Sequence, residues 1–177
     1  TLSSIGSILS GLYPSQHGIV DYSSNDTSFN ESIKTLPEIL KENGFCTYAV
    51  TEVGRMEPFR WARGFDSYLN VPYRSDLEPD TGYIIRLLDS MKNVDGLLFA
   101  HIDWLHAPSI RFNRKRTPRL YNVELLSSAS NDEISLEVYI EHLKQLDNQV
   151  SQIITYLKES DQYDSSLFIL TGDHGSD

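Results

Sequence analysis

Segments with helical periodicity alternate along this chain with short apolar runs, and this alternation restricts the fold more than any other feature of the sequence. Apolar residues recur at helical spacing over residues 3–12, 35–43, 81–91 and 134–159. The runs at 45–53, 96–102 and 167–170 have the composition of strands, and the run at 96–102 (GLLFAHI) is apolar enough to be covered on both faces. The chain is therefore predicted to be an α/β protein whose mainly parallel sheet is sandwiched between helices.

Local signals also predict where one helix begins and ends, and which face of another is buried. Thr35 and Glu38 have the spacing of a capping box, Pro37 is tolerated in the first helical turn, and Gly44 supplies the stop. The helix at 134–159 carries one continuous apolar stripe. We expect this stripe to pack on the sheet through Leu143, Leu146, Val150, Ile153 and Leu157.

Length, charge and cysteine content exclude several classes of protein. With 177 residues and a mass of 20.2 kDa, the chain suits one domain, and its net charge of −10 disfavours a broad nucleic-acid surface. A single cysteine, Cys46, excludes an internal disulfide framework and a thiolate-rich metal site. No apolar run approaches the roughly 18 residues of a membrane span. Because the chain begins at Thr1 and ends just after a strand-like run, we expect residues 1–177 to be a single domain that is truncated at both ends. The sequence leaves the cellular compartment open.

Residues that carry chemistry follow the predicted strands or open a helix. The strand at 96–102 leads to Asp103 and His106, the strand at 167–170 leads to Asp173 and His174, and Thr1 opens the first helix. Ligands of parallel α/β sheets bind beyond the carboxyl ends of the strands. We therefore expect Thr1, His106, Asp173 and His174 to lie together at one edge of the sheet.

Each of these residues also has an alternative interpretation. Asp173 and His174 can bind a metal ion, or they can be a helix-capping aspartate and a surface histidine. Thr1 can be a helix cap or can lie beside an anion at the helix N-terminus. Asp103 can join His106 at a second metal. The basic run 111–119 can be a solvated loop or a rim that attracts an anionic substrate.

The other three histidines are predicted to have structural roles. His17 is expected to cap the first helix or to pack beside it. His101 alternates with its strand neighbours and is interpreted as a core histidine. His142 is interpreted as a surface residue.

Five segments, in order along the chain, resemble the sulfatase branch of the alkaline-phosphatase superfamily. Residues 1–18 (TLSSIGSILSGLYPSQHG) resemble the nucleophile segment of that branch without a gap. The other matches resemble the family's Thr-Leu-x-Glu-x-Leu-Lys-x-x-Gly helix, its Gly-Phe-Asp turn, its His-x-Pro segment and its strand ending in Asp-His-Gly. These matches lie at 35–44, 64–66, 106–108 and 167–175.

The resemblance implies roles for individual residues. Thr1 would be the nucleophile, His106 would contact the ester oxygens or the leaving group, and Asp173, His174 and Thr1 would bind a divalent metal ion. The imidazole ligand favours zinc or manganese, while calcium or magnesium is possible with oxygen-rich partners. The resemblance also implies that an upstream Asp pair and a downstream Lys or His complete the site.

Two departures from the family pattern bear on the substrate. Sulfatases carry at position 1 the Cys or Ser that is converted to formylglycine, and the conversion motif has Pro and Arg where this chain has Ser3 and Ile5. The resemblance then implies a phosphatase, phosphodiesterase or phosphoryl transferase. The sequence thus predicts a metal-dependent hydrolase or transferase of small anionic phosphate or sulfate esters that forms a covalent intermediate at Thr1. The alternatives are a sulfatase that acts without formylglycine and a non-catalytic sulfatase-like binding domain.

Overall fold

A three-stranded parallel sheet forms the centre of the fold. The computed structural model describes residues 2–20, 29–51, 62–71, 81–102, 105 and 131–175, with the backbone alone at 131–138. Strands β1 (Cys46–Thr51), β2 (Ser67–Asn70) and β3 (Gly96–His101) are arranged in the order β2-β1-β3. The helices are α1 (Leu2–Ser10), α2 (Pro14–His17), α3 (Leu36–Glu42), α4 (Gly82–Ser90) and α5 (Asn131–Glu159). The predicted α/β class with a parallel sheet is confirmed.

Apolar side chains cover both faces of this sheet. On one face, Phe99 of β3 packs against a buried cluster that includes Ile5 and Leu9 of α1. On the other face, Leu98 packs against Ile84 of α4 and against the C-terminal half of α5. Successive residues of a strand point to opposite faces, so the apolar run of β3 buries side chains on both sides. The sheet is therefore sandwiched between helices, as the sequence predicts.

The predicted capping box begins α3 and is tied to a distant loop. The Thr35 N–H donates a hydrogen bond of 2.8 Å to Glu38 Oε2, and Arg63 Nε lies 2.7 Å from Glu38 Oε1. The Arg63 guanidinium also donates to the Ile33 carbonyl. Burial alone would raise the pKa of Glu38, but the hydrogen bonds from Arg63 and Thr35 outweigh it and lower that pKa. Gly44, with φ of 87°, ends the helix as expected.

A second polar contact joins β1 to the loop before β2. The Thr47 N–H donates 2.9 Å to Asp66 Oδ2, and the Asp66 N–H donates 2.7 Å to the Thr47 carbonyl. The Lys41 ammonium lies 2.6 Å from Asp66 Oδ1, and together with Thr47 it lowers the pKa of Asp66. The two family-like segments at 35–44 and 64–66 thus pack on each other and hold the sheet together.

The predicted strand at 167–170 is wrong in this structure. Residues 167–172 form no strand, and Leu167, Ile169 and Leu170 are 87%, 73% and 66% exposed. An apolar run becomes a buried strand only where a neighbouring backbone pairs with it, and no described residue supplies that pairing. Two elements that the sequence analysis did not predict are present, namely the single-turn helix α2 and the short strand β2.

The buried stripe of α5 differs in part from the predicted one. Ile153 and Leu157 are buried against α4 and β3, as expected, and Leu146 and Val150 are half-buried. Leu143, however, is 45% exposed, so its predicted burial is wrong. The interpretation of His142 as a surface residue is wrong too, because that side chain is only 5% exposed. Between residues 142 and 157, α5 instead buries His142, Gln149, Ile153 and Leu157, which helical rotation places on one stripe.

In the part of the chain that the structure describes, no helix has the combination of length and apolar character needed to cross a membrane.

Leu157→Ala should lower the free energy of unfolding by about 2–5 kcal/mol, because it leaves a cavity beside Ile84 and Ile153. Leu143→Ala is the matched control on the same helix, and its effect should stay within roughly 1 kcal/mol because that side chain is largely exposed. Urea denaturation of both variants measures the difference. If both variants lost the same free energy of unfolding, Ile153 and Leu157 would not form the face of α5 that packs in the core.

Gly64→Ala should destabilise the fold more than Gly44→Ala. Both glycines have positive φ, 85° and 87°, so an alanine is strained at either position. A Cβ at Gly64 would also lie 2.4 Å from the Glu38 backbone nitrogen, whereas a Cβ at Gly44 meets no atom within 4 Å. Because the backbone strain is common to both variants, the difference between their melting temperatures measures the effect of the clash at residue 64. Similar losses for both would contradict the close packing of residue 64 on α3.

Candidate active site

Two segments that are distant in sequence meet at the carboxyl end of β3. His101 is the last residue of β3, and its Nε2 lies 3.8 Å from Oδ2 of Asp173. The side chains of His101 and Asp173 are 13% and 24% exposed. A parallel sheet collects ligand-binding groups at this edge because the connections that follow its strands all begin there. Asp173 thus lies beside the carboxyl end of β3.

The segment that follows residue 172 sets the local geometry of Asp173 and His174. The His174 N–H donates 3.0 Å to Asp173 Oδ1, which orients the carboxylate. His174 Nδ1 lies 2.6 Å from the Gly175 carbonyl, and since a carbonyl oxygen only accepts, Nδ1 carries the proton. In the neutral ring the lone pair is then on Nε2, the nitrogen that would bind a metal ion.

The separation of these two side chains suits a shared cation. Asp173 Oδ2 and His174 Nε2 are 3.5 Å apart. Two ligands of one tetrahedral ion, each bound at about 2.0–2.2 Å, lie at roughly this separation. Within the described ranges, no group of three or more His, Cys, Asp or Glu side chains is arranged to hold a metal. The chemistry of the pair, one carboxylate and one imidazole, fits a divalent ion as part of a larger ligand set.

Helix α1 packs closely against a buried imidazole. His17 is 0% exposed, and its Nε2 lies 3.1 Å from Ser7 Oγ. Gly6 makes this approach possible, because a Cβ there would lie 2.7 Å from His17 Cε1. The prediction that His17 packs beside the first helix is therefore confirmed.

The tautomer of His17 follows from its partners. The Ile19 N–H donates 3.1 Å to His17 Nδ1, so in the neutral ring the proton is on Nε2. Burial lowers the pKa of His17, and a hydrogen bond to the Ser3 carbonyl only partly offsets that effect. His17 is thus held neutral, with its N–H directed at α1.

The structure locates some of the expected site residues. Asp173 and His174 lie together near the end of β3, whereas Thr1, Asp103, His106 and the basic run 111–119 lie outside the described residues. His101, interpreted as a core histidine, has a side chain that is only 13% exposed, and its Nε2 also lies 3.8 Å from Asp173 Oδ2. Its position as the last residue of a parallel strand is the signal that could have revealed this.

Asp173, His174 and His101 thus lie together at the carboxyl edge of a parallel α/β sheet, the place where such sheets bind their ligands. The family model described as Sulfatase matches residues 1–177. The chain therefore belongs to the sulfatase family, in a superfamily of hydrolases of sulfate and phosphate esters.

Two relatives give the extent of this likeness. The chain is 28% identical over 179 residues to human ectonucleotide pyrophosphatase/phosphodiesterase family member 1, covering 96% of this chain and 18% of that protein. The crystal structure of Ps i-CgsB in complex with k-i-k-neocarrahexaose is similar in fold, with a TM-score of 0.58 and 17% identity. That match covers 93% of this chain and 46% of the other. The chain thus spans less than half the length of either relative.

The neutral His17 should make stability depend on pH. Its pKa in the folded state is below the ordinary 6.5, so its contribution is complete above about pH 6.5 and is lost as pH falls towards the folded-state pKa. We expect the free energy of unfolding to fall between about pH 7.5 and 5.5 by more in the wild type than in His17→Asn, which cannot titrate. Urea denaturation at both pH values measures this.

Glu38 and Asp66 do not confound that comparison, because their pKa values are lowered from 4.5 and 3.8 and they titrate below this range. If the free energy of unfolding changed with pH by the same amount in the wild type and in His17→Asn, His17 would not be a buried, neutral histidine.

Proposed function

We propose that the protein is a metal-dependent hydrolase or transferase of small anionic esters, phosphate esters before sulfate esters, with Thr1 as the nucleophile. The observation that carries the proposal is the Asp173–His174 pair beside the carboxyl end of β3, with ligand atoms 3.5 Å apart. Membership of the sulfatase family supports the reaction class. The proposal concerns the whole protein, in which the further residues that the family implies would complete the site.

Asp173 and His174 supply the first part of the proposed metal site. A carboxylate oxygen offsets the charge of a divalent ion, and a neutral imidazole favours zinc or manganese over calcium or magnesium. Thr1 and the upstream aspartates implied by the family would complete the ligand set. Such an ion lowers the pKa of a coordinated hydroxyl and draws charge from a transferring phosphoryl group.

The position of Thr1 suits it to attack a bound anion. Thr1 directly precedes α1, a nine-residue helix with no acidic side chain in its first turn. The N–H groups of that turn and the positive end of the helix dipole favour negative charge there. A phosphoryl group placed at this end of α1 would therefore be stabilised as its charge grows in the transition state.

The proposed reaction proceeds in two displacements. Thr1 Oγ loses its proton and forms a bond to phosphorus, while the bond from phosphorus to the ester oxygen breaks and the leaving alcohol takes a proton. Water or an acceptor alcohol then attacks the Thr1 ester and restores the hydroxyl. His106 is proposed to contact the ester oxygens or the leaving group, and the basic run 111–119 to attract the anion.

The preference for phosphate rests on the start of α1. Ile5, at the position where the formylglycine motif has Arg, is 0% exposed and packs with Leu9, Ile19 and Phe29. A conversion motif whose arginine is replaced by a core isoleucine does not favour formylglycine at Thr1. The relative named as a pyrophosphatase/phosphodiesterase supports the same preference. The family name Sulfatase is the reason to test sulfate esters in parallel.

Thr1→Ala should abolish ester cleavage in the full-length protein and leave much of the bound metal in place, because only the attacking oxygen is lost. Thr1→Ser keeps a hydroxyl and is the matched control, which should retain turnover. Aryl phosphate and aryl sulfate turnover, measured with metal content by mass spectrometry, tests both points. Undiminished turnover in Thr1→Ala would exclude Thr1 as the nucleophile, and faster cleavage of the sulfate would exclude the phosphate preference.

Asp173→Ala should lose both metal and activity, because it removes the carboxylate that offsets the charge of the ion. Asp164→Ala, which removes an exposed carboxylate nine residues earlier, is the control and should keep both. A chelator should abolish wild-type turnover, and a divalent ion should restore it. Full metal occupancy in Asp173→Ala would remove Asp173 from the ligand set.

A further inference from the structure

A fully buried imidazole that takes no part in the proposed chemistry contacts the helix that carries the proposed nucleophile. His17 is 0% exposed, although histidine is rarely buried without a specific partner. It ends α2 and lies against α1, whose sequence contains no charged side chain. The imidazole is thus a polar group packed on a helix that contains apolar residues and serines but no charged residue.

Both nitrogens of His17 are committed to defined partners. Nδ1 accepts 3.1 Å from the Ile19 N–H, which fixes the ring to its own loop. Nε2 lies 3.1 Å from Ser7 Oγ, which fixes the ring to the middle of α1.

The fit between the ring and the helix leaves little room for movement. A Cβ at Gly6 would lie 2.7 Å from Cε1 and 3.1 Å from Nδ1 of His17, so the ring rests on the α1 backbone itself. The Phe29 ring lies 6.1 Å from the His17 ring, centroid to centroid. The His17 carbonyl accepts 3.1 Å from the Asn30 N–H, which fixes the backbone behind the ring.

We infer that His17 is a positioning residue that fixes α1, the helix that directly follows the proposed nucleophile Thr1. This inference rests on the proposed function of Thr1. Ser7 and Gly6, which contact the ring, belong to the helix that begins one residue after Thr1, so a displacement of α1 would move the proposed nucleophile with it. A misplacement of about 1 Å in a reacting group can cost roughly 100-fold in rate.

Two substitutions separate the two hydrogen bonds of the ring. His17→Gln places an amide N–H near the position of Nε2 and can still bond Ser7 Oγ, but it loses the acceptor for the Ile19 N–H. His17→Asn places an oxygen near the position of Nδ1 and keeps the Ile19 contact, but it cannot reach α1. Ser10→Ala is the control on the same helix, because Ser10 Oγ donates 2.7 Å to the Gly6 carbonyl and serves the other end of α1.

The experiment compares kcat and KM for an aryl phosphate in these three variants of the full-length protein, with urea denaturation to determine the folded fraction. We expect His17→Asn to lose about 10- to 100-fold in kcat, with KM changed by less than about 3-fold, because ground-state binding does not need the nucleophile in register. His17→Gln should recover most of this loss although it is destabilised to a similar degree. Ser10→Ala should match the wild type.

A purely structural role for His17 predicts a different pattern. If kcat per folded molecule in His17→Asn equals the wild-type value, or if His17→Gln and His17→Asn lose kcat equally, the positioning role is overturned. Thr1→Ala, measured alongside, separates this from the proposed function. An active Thr1→Ala refutes the proposed function itself, whereas an inactive Thr1→Ala with a fully active His17→Asn refutes only the positioning role.

Discussion

The parallel pairing of β1 with strands on both of its sides is the interaction on which the rest of the structure depends. β1 pairs with β2 on one side and with β3 on the other, and Thr47, Ala49, Val50 and Thr51 are almost completely buried. Because all three strands run in the same direction, their carboxyl ends share one edge. That edge is where His101 meets Asp173, so the site exists only if this pairing forms.

Family-like motifs in this chain divide into those that hold the fold and those that are proposed to carry chemistry. The segments at 35–44 and 64–66 are joined by the ion pair of Lys41 and Asp66, and Asp66 also ties the loop before β2 to Thr47. Their charged groups are thus occupied by structural partners. Asp173 and His174 differ, because their mutual geometry directs a carboxylate oxygen and an imidazole nitrogen to within 3.5 Å of each other. These are the two atoms that would hold a divalent cation in the proposed function.

Helix α1 links these two functions of the sequence. One face supplies Ile5 and Leu9 to the core, while its serines and Gly6 receive the His17 ring. Apolar packing fixes the distance of the helix from the sheet, and it resists sliding only weakly because apolar contacts have no direction. Hydrogen bonds are directional and add the missing constraint along the helix axis. A buried, neutral imidazole is suited to this task, since it offers one donor and one acceptor at fixed positions.

The sequence by itself determined the α/β class, the capping box at Thr35, the central strands near 46–51 and 96–101, and the family, because periodicity, caps and ordered motifs are local properties of the chain. Only the tertiary structure decided that β2 pairs with β1, that 167–170 has no pairing strand among the described residues, and that α5 buries His142 rather than Leu143. It also decided that His101 faces Asp173. Local periodicity states which residues prefer burial. Which of them become buried, and which polar groups meet, depends on contacts between distant segments whose geometry no local pattern encodes.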